Sequence, residues 1–148
     1  MRKRVMIIGT KGVGKSGIAN EINKDNRAIS RCPDVIYGKN TIDVPSAYLE
    51  NTWMYKYLVS ISQDASCIIV VVDTRKQDDI YSHGFSRAFS KKVIGVINVI
   101  EGDVSHYKDA VRTLKQIGVN EPYFEVNLAN GYGVEELIKF LDLDDERG

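Results

Sequence analysis

One eight-residue stretch constrains this chain more than any other: Gly9-Thr10-Lys11-Gly12-Val13-Gly14-Lys15-Ser16 fits G-x-x-x-x-G-K-[ST] at every fixed position. It comes directly after the apolar run Val5 to Ile8 and directly before a segment with helical spacing, the context such a loop requires. With glycine near 7% of residues, the four fixed positions co-occur by accident in only about one chain of this length in a few hundred. The residue types have a physical reason. Successive backbone N–H groups must turn inward around phosphate oxygens, which only small residues permit at the tight positions. Lys15 then bridges to the outer phosphates, the Ser16 hydroxyl is placed to ligate Mg²⁺, and the positive end of the helix starting there stabilises the anion further. The expected nucleotide site is therefore Gly9, Thr10, Lys11, Gly12, Val13, Gly14, Lys15 and Ser16. The loop does not identify the base.

Nearly continuous apolar runs at Val5 to Ile8, Cys67 to Val72 and Val93 to Ile97 read as strands covered on both faces. Helical patterns lie between them. The first places Trp53, Met54, Tyr57, Leu58 and Ile61 on one face, which makes Trp53 and Tyr57 core and Tyr55 exposed. Tyr107, Ala110, Val111, Leu114 and Ile117 form the next, ending at Gly118, and Val134, Leu137, Ile138 and Leu141 the last. A short strand, Tyr123 to Val126, precedes the Asn130-Gly131 turn. Alternating strands and helices imply right-handed crossovers and a three-layer α/β domain with a mostly parallel sheet. Asp34 to Tyr37 and Asn40 to Asp43 read either as two short strands or as a mobile loop leading into one, with low order expected from Asn26 to Asn40. The acidic end from Asp142 to Gly148 is expected to fray.

The 148 residues fit one domain, and 43% apolar with 27% charged content suits a soluble globular chain. Twenty basic residues balance twenty acidic ones, which argues against a bulk electrostatic partner such as nucleic acid or an anionic membrane. Cys32 and Cys67 are the only cysteines, and Cys67 opens a buried run, so no disulfide framework is expected. The apolar stretch after Met1-Arg2-Lys3-Arg4 is too short for a signal peptide, and no run approaches a membrane span of about 20 residues, which makes a cytoplasmic location the expectation. His83 and His106 lie apart from any Cys or carboxylate spacing that suggests a metal site, and no nucleophile-elbow pattern is present.

A phosphate loop needs an acidic residue at another strand's end to hold the metal. Periodicity alone favours Asp73, which follows Ile68 to Val72, over Asp43, which follows Asn40-Thr41-Ile42. However, Thr41-Ile42-Asp43-Val44-Pro45-Ser46-Ala47-Tyr48-Leu49-Glu50-Asn51 resembles the T-I-D-T-P-G-E-Y-L-E-N segment of the EutP/PduV family, small P-loop proteins of ethanolamine and propanediol utilisation. The likeness also takes in the phosphate loop, Val93-Ile94-Gly95 and the helix start Gly133-Val134-Glu135-Glu136. It implies a small GTPase-like fold, Asp43 with Ser16 as the magnesium-associated pair, Lys15 and Asp43 as the catalytic residues, GTP, GDP or ATP with Mg²⁺ as ligands, and a link to bacterial microcompartments and their shell or enzyme proteins. Asp73 then becomes a turn or cap former.

This chain departs from the GTPase-like pattern at several places. Ser46 stands where the D-x-x-G glycine lends its N–H to the γ-phosphate, and its Cβ restricts the backbone of that switch. Lys11 occupies a loop position directed toward the γ-phosphate region in related proteins. Asn98-Val99-Ile100-Glu101 aligns with N/T-K-x-D, so Val99 replaces the lysine that packs along the base and Glu101 replaces the guanine-binding aspartate. A carboxylate can still accept from the guanine edge, but its extra methylene requires backbone adjustment. Ser46, Asn98 and Glu101 complete the expected nucleotide contacts, and Asn127-Leu128-Ala129 takes the place of the S-A-x loop. Three functions compete: a nucleotide switch or slow triphosphatase without a residue to orient water, a phosphotransferase passing phosphate between ATP and acetate as attributed to EutP proteins, and a degenerate interaction module.

Overall fold

The computed structural model describes residues 3–24, 34–75 and 80–142. In chain order the elements are β1 (Val5–Gly9), α1 (Lys15–Asn23), β2 (Ile36–Tyr37), β3 (Thr41–Asp43), α2 (Ala47–Glu50), α3 (Tyr55–Ser62), β4 (Cys67–Asp73), β5 (Val93–Asn98), α4 (Tyr107–Ile117), β6 (Phe124–Val126) and α5 (Val134–Leu141). Single 3₁₀ turns at Thr52–Met54 and Phe85–Ala88 punctuate the connections. The six strands form one sheet in the order β2-β3-β1-β4-β5-β6, parallel except for the β2–β3 pair.

Alternation along each strand explains the continuous apolar runs, because successive residues feed opposite layers. Met6, Ile8, Ile68, Val70, Val72 and Ile97 face one core, closed by Leu49 of α2, Leu58 of α3 and Leu114 of α4. Val5, Ile7, Ile69, Val71 and Val96 face the other, closed by Ile18 and Ile22 of α1 and Leu137 and Leu141 of α5. The expected three-layer arrangement is therefore present. The Asn40–Asp43 segment contributes a strand, with β2 and β3 forming a short antiparallel pair. Of the segments where low order and fraying were expected, Asn26 to Asn40 and Asp142 to Gly148, residues 26–33 and 143–148 lie outside the described residues, as does Cys32.

The aromatic stripe of the second helical segment is not placed as its spacing predicted. Trp53 is 65% exposed and Tyr57 46% exposed, whereas Tyr55 packs against the core with its ring edge on Phe85 at 5.2 Å between centroids. Leu58 sets the buried face of α3. At 100° per residue Tyr57 is turned well away from Leu58, while Tyr55, three residues back, lies within about 60° of it. The 3₁₀ turn at Thr52–Met54 then breaks the phase that would have carried Trp53 inward.

Two local devices place the strand ends that matter below. The buried Asn23 at the end of α1 donates through Nδ2 to Thr41 Oγ1 at 2.9 Å and accepts the Asn40 N–H at 2.6 Å, tying β3 to α1. Register then puts Asp43 beside Ile7 of β1. At the far side α4 ends on Gly118, left-handed at φ 97° with its N–H on Leu114 and Lys115 carbonyls, as the sequence predicted.

Candidate functional site

The carboxyl ends of β1, β3, β4 and β5 converge at one edge of the sheet, where ligands of open α/β sheets bind. The loop from Gly9 to Ser16 leaves β1 there and runs into α1 without a break. Gly14 caps the helix at φ 99°, and a Cβ at this position would collide with Asn98 Nδ2, so both angle and space demand glycine. Gly12, at φ 83°, needs glycine for its angle alone. Lys15 curls back so that its Nζ donates to the carbonyls of Gly9 at 2.9 Å and Thr10 at 3.4 Å, which holds the ammonium across the loop's mouth. The Val13 side chain is buried in the α1 core and anchors the loop from beneath, while Lys11 sits at its exposed tip. Ser16 is the second residue of α1, in the first turn, whose amides have no intrahelical partner.

Asp43 ends β3 one strand away from the loop, with Oδ1 buried. A serine hydroxyl and a carboxylate are hard oxygen donors of the kind Mg²⁺ accepts, so this donor set fits that ion. Three residues on, Ser46 begins α2 at φ −60° and ψ −26°, an angle pair open to any L-residue, so its Cβ imposes no strain in this conformation. Asp73, fully buried at the end of β4, accepts the Arg75 N–H at Oδ1 (2.8 Å) and the Arg75 guanidinium at Oδ2 (2.8 Å), a turn-forming role consistent with its strand-end position.

The base-side loops are built differently. Asn98, at 3% exposure, donates from Nδ2 to the Val13 carbonyl at 3.0 Å and so supports the phosphate loop from behind. Its Oδ1 is buried with no hydrogen-bond partner among the described residues, an arrangement that costs about 1–3 kcal/mol unless a donor arrives. Thr74 staples this region to β4: Oγ1 donates to the Asp103 carbonyl at 2.9 Å and accepts the Ile100 N–H at 3.0 Å. Glu101 is exposed, and its Oε1 accepts from Asn127 Nδ2 at 3.0 Å. Asn127 Oδ1 in turn accepts the N–H groups of Ala129 at 2.9 Å and Asn130 at 3.3 Å. Val99, partly buried, packs on the core instead of reaching toward a ligand.

Thus the structure gathers Gly9 to Ser16, Asp43 and Asn98 at one sheet edge and joins Glu101 to the Asn127 loop. The family is shown by comparison with known sequences. A sequence model described as ethanolamine utilisation and propanediol utilisation, PduV-EutP, matches residues 2–143. The chain belongs to the PduV-EutP family. It is similar to the propanediol utilisation protein PduV of Citrobacter freundii, 27% identical over 95% of this chain and 93% of that one. It is also similar to a probable acetate kinase EutP of Escherichia coli, 25% identical over 94% of this chain and 89% of the relative. Among solved structures it shares the fold of the G domain of the T. maritima FeoB iron transporter, with TM-score 0.60, 21% identity and coverage of 95% and 97%. A probable GTP-binding protein, engB, aligns at TM-score 0.61, 15% identity and coverage of 92% and 94%. The PduV-EutP chain described here therefore has a GTPase-like fold and comes from a family linked to propanediol and ethanolamine utilisation. Among the described residues no helix is long and apolar enough to cross a membrane, and no cluster of His, Cys, Asp and Glu could hold a metal by itself.

Sequence reasoning missed two residues at this edge. Arg75 reaches the phosphate loop, a contact signalled only by a basic residue two positions after a strand-end aspartate. Asn127, noted only as a loop replacement, turns out to be the partner of Glu101.

Proposed function

We propose that this PduV-EutP protein binds a nucleoside triphosphate with Mg²⁺, with GTP preferred over ATP, and hydrolyses it slowly. The observation that carries the reading is the Gly9–Ser16 loop itself, spanned by the Lys15 ammonium and leading straight into α1. The loop's amides and Lys15 would hold the phosphates, and Ser16 with Asp43 would hold the metal, which when bound neutralises charge on the transferring phosphoryl oxygens. Thr10, Lys11 and Val13 complete the loop, and the Ser46 N–H is the candidate switch donor to the terminal phosphate. Asn98 offers a buried acceptor, and Glu101, steadied through one carboxylate oxygen by Asn127, offers the other oxygen to the donor edge of a guanine.

Catalysis here would be mostly positioning, with Lys15 and Asp43 as the charged groups nearest the reacting phosphate. No described side chain is placed as a water-orienting group, so turnover should fall below the roughly 1–100 s⁻¹ typical of kinases. Titration with labelled GTP, GDP and ATP, with and without Mg²⁺, tests occupancy, base choice and metal dependence together; absence of binding under all conditions would leave only an interaction module. The description of the EutP relative as a probable acetate kinase supports a second reading, phosphoryl transfer to acetate. Acetyl phosphate formed from ATP and acetate would establish it, and a pure switch would form none. Action in the cytoplasm, at a microcompartment alongside shell or enzyme proteins, is the setting proposed from the family's pathway.

A further inference from the structure

Two consecutive carbonyls of the phosphate loop are gripped from outside by side chains of neighbouring strand ends. Asn98 of β5 holds the Val13 carbonyl at 3.0 Å. Arg75, two residues beyond β4, holds the Gly12 carbonyl through Nη2 at 2.8 Å. A trans peptide unit is planar, with its C=O and N–H pointing in opposite directions. Fixing these two carbonyls outward therefore directs the N–H groups of Val13 and Gly14 away from Arg75 and Asn98: the Val13 N–H closes a turn on the Thr10 carbonyl at 3.4 Å, and the Gly14 N–H takes the orientation a phosphate nest requires. Arg75 is itself held rigidly. Its Nε and Nη2 lie 3.3 and 2.8 Å from Asp73 Oδ2, and its own N–H reaches Asp73 Oδ1 at 2.8 Å. Asp73 is fully buried while the Arg75 side chain remains 44% exposed, so the guanidinium lies at the surface of the crevice between β1 and β4. The hydrogen bonds and charge of Asp73 hold Arg75 more firmly in its protonated form.

Val99 leaves the base-side motif without the cation that its lysine would supply, and β4 lies between the phosphate strand and the base strand. We propose that Arg75 is a positioning residue of the nucleotide site, using one planar fork to balance buried Asp73 and to lock the Gly12 carbonyl so that the loop is formed before ligand arrives. This rests on the nucleotide-binding reading for its purpose, but the locking itself is a property of the protein alone. The fork matters because a guanidinium presents several donors in a fixed plane, whereas an ammonium is a point charge that cannot reproduce both contacts at their observed geometry.

Arg75→Lys separates the two duties, since it keeps a positive charge opposite Asp73 and loses the bridge to Gly12. Asp73→Asn/Arg75→Met removes the buried charge together with its partner and so guards against simple unfolding. Backbone ¹⁵N order parameters of Val13 and Gly14 in the ligand-free protein are the primary readout, with α4 amides as the internal control. Both variants should lower the loop values from the rigid range near about 0.85 toward about 0.6 or below while α4 is unchanged. In parallel, the dissociation constant for Mg·GDP should rise about tenfold. Loop order at the wild-type level in Arg75→Lys would overturn the proposal by reducing Arg75 to a counter-charge, and loosening spread through α4 would overturn it by making the residue a general stabiliser. Failure of the wild type to bind Mg·GDP would instead refute the nucleotide reading, with the loop measurements still deciding whether Arg75 locks Gly12.

Discussion

The proposed phosphate side and base side of this site occupy the same sheet edge yet differ in what would do the recognising. Between β1 and α1 the proposed contacts are main-chain amides aided by Lys15, and every fixed position of the motif is present. At the ends of β5 and β6 the proposed contacts are side chains, and there Val99, Glu101 and Asn127 have replaced the expected residues. Amide recognition depends on backbone shape, which glycines at special angles enforce, so it leaves little room for substitution. Side-chain recognition can be rebuilt. A longer carboxylate at Glu101 is matched by the longer amide of Asn127, and the pair closes at 3.0 Å.

If that contrast is right, damage to the phosphate side should abolish binding while damage to the base side should only redirect it. Lys15→Ala carries the largest expected effect, a loss of about a hundredfold in Mg·GTP affinity, roughly 3 kcal/mol, read by fluorescent-nucleotide titration. Gly14→Ala should come next, because its Cβ meets Asn98 at a left-handed backbone angle. Thermal or urea unfolding should show a loss of about 1–3 kcal/mol, and wild-type stability would break the claim that the loop's shape is fixed by glycine. Glu101→Gln should lower GTP affinity about tenfold, about 1.4 kcal/mol, and leave ATP affinity unchanged, since the amide keeps an oxygen for Asn127 but offers the base a mismatched donor. An equal fall for both nucleotides would place Glu101 outside base selection.

The smallest effect concerns the tie between α4 and β6 beneath the base-side loops. Tyr107 donates its hydroxyl to Glu125, and that hydrogen bond, with burial and the carboxylate's charge, pushes its pKa up to about 12 from 10.0. A folded-state pKa above the unfolded one means that the unfolded chain releases its proton first, so this contribution is complete below about pH 10 and fades toward about pH 12. Tyr107→Phe should flatten that alkaline limb in pH-dependent unfolding, with a modest amplitude because the pair is solvent-exposed.

The same contrast explains what the sequence made legible. Three continuous apolar runs marked β1, β4 and β5 because each strand serves two cores, and the phosphate loop was readable because its geometry dictates residue types at fixed spacing. Gly118 announced the end of α4 for the same reason. The segment before α3 was misread because a 3₁₀ turn resets helical phase, which no spacing count at constant period can detect, and Trp53 and Tyr57 were left outside. Arg75 and Asn127 were missed because their partners, Gly12 and Glu101, are distant in sequence and are brought near only by strand order. Asp43 was singled out as a metal-ligand candidate only through family resemblance, since a three-residue strand carries too little periodicity to argue for itself.

The most direct test is an amide-resolved NMR titration of the wild-type protein with Mg·GDP. Saturable shifts that are largest at the N–H groups of Gly12, Gly14, Lys15 and Ser16 are expected if the main chain between β1 and α1 grips the phosphates. Saturation without movement of those four amides, or no response at any concentration up to millimolar, would contradict it.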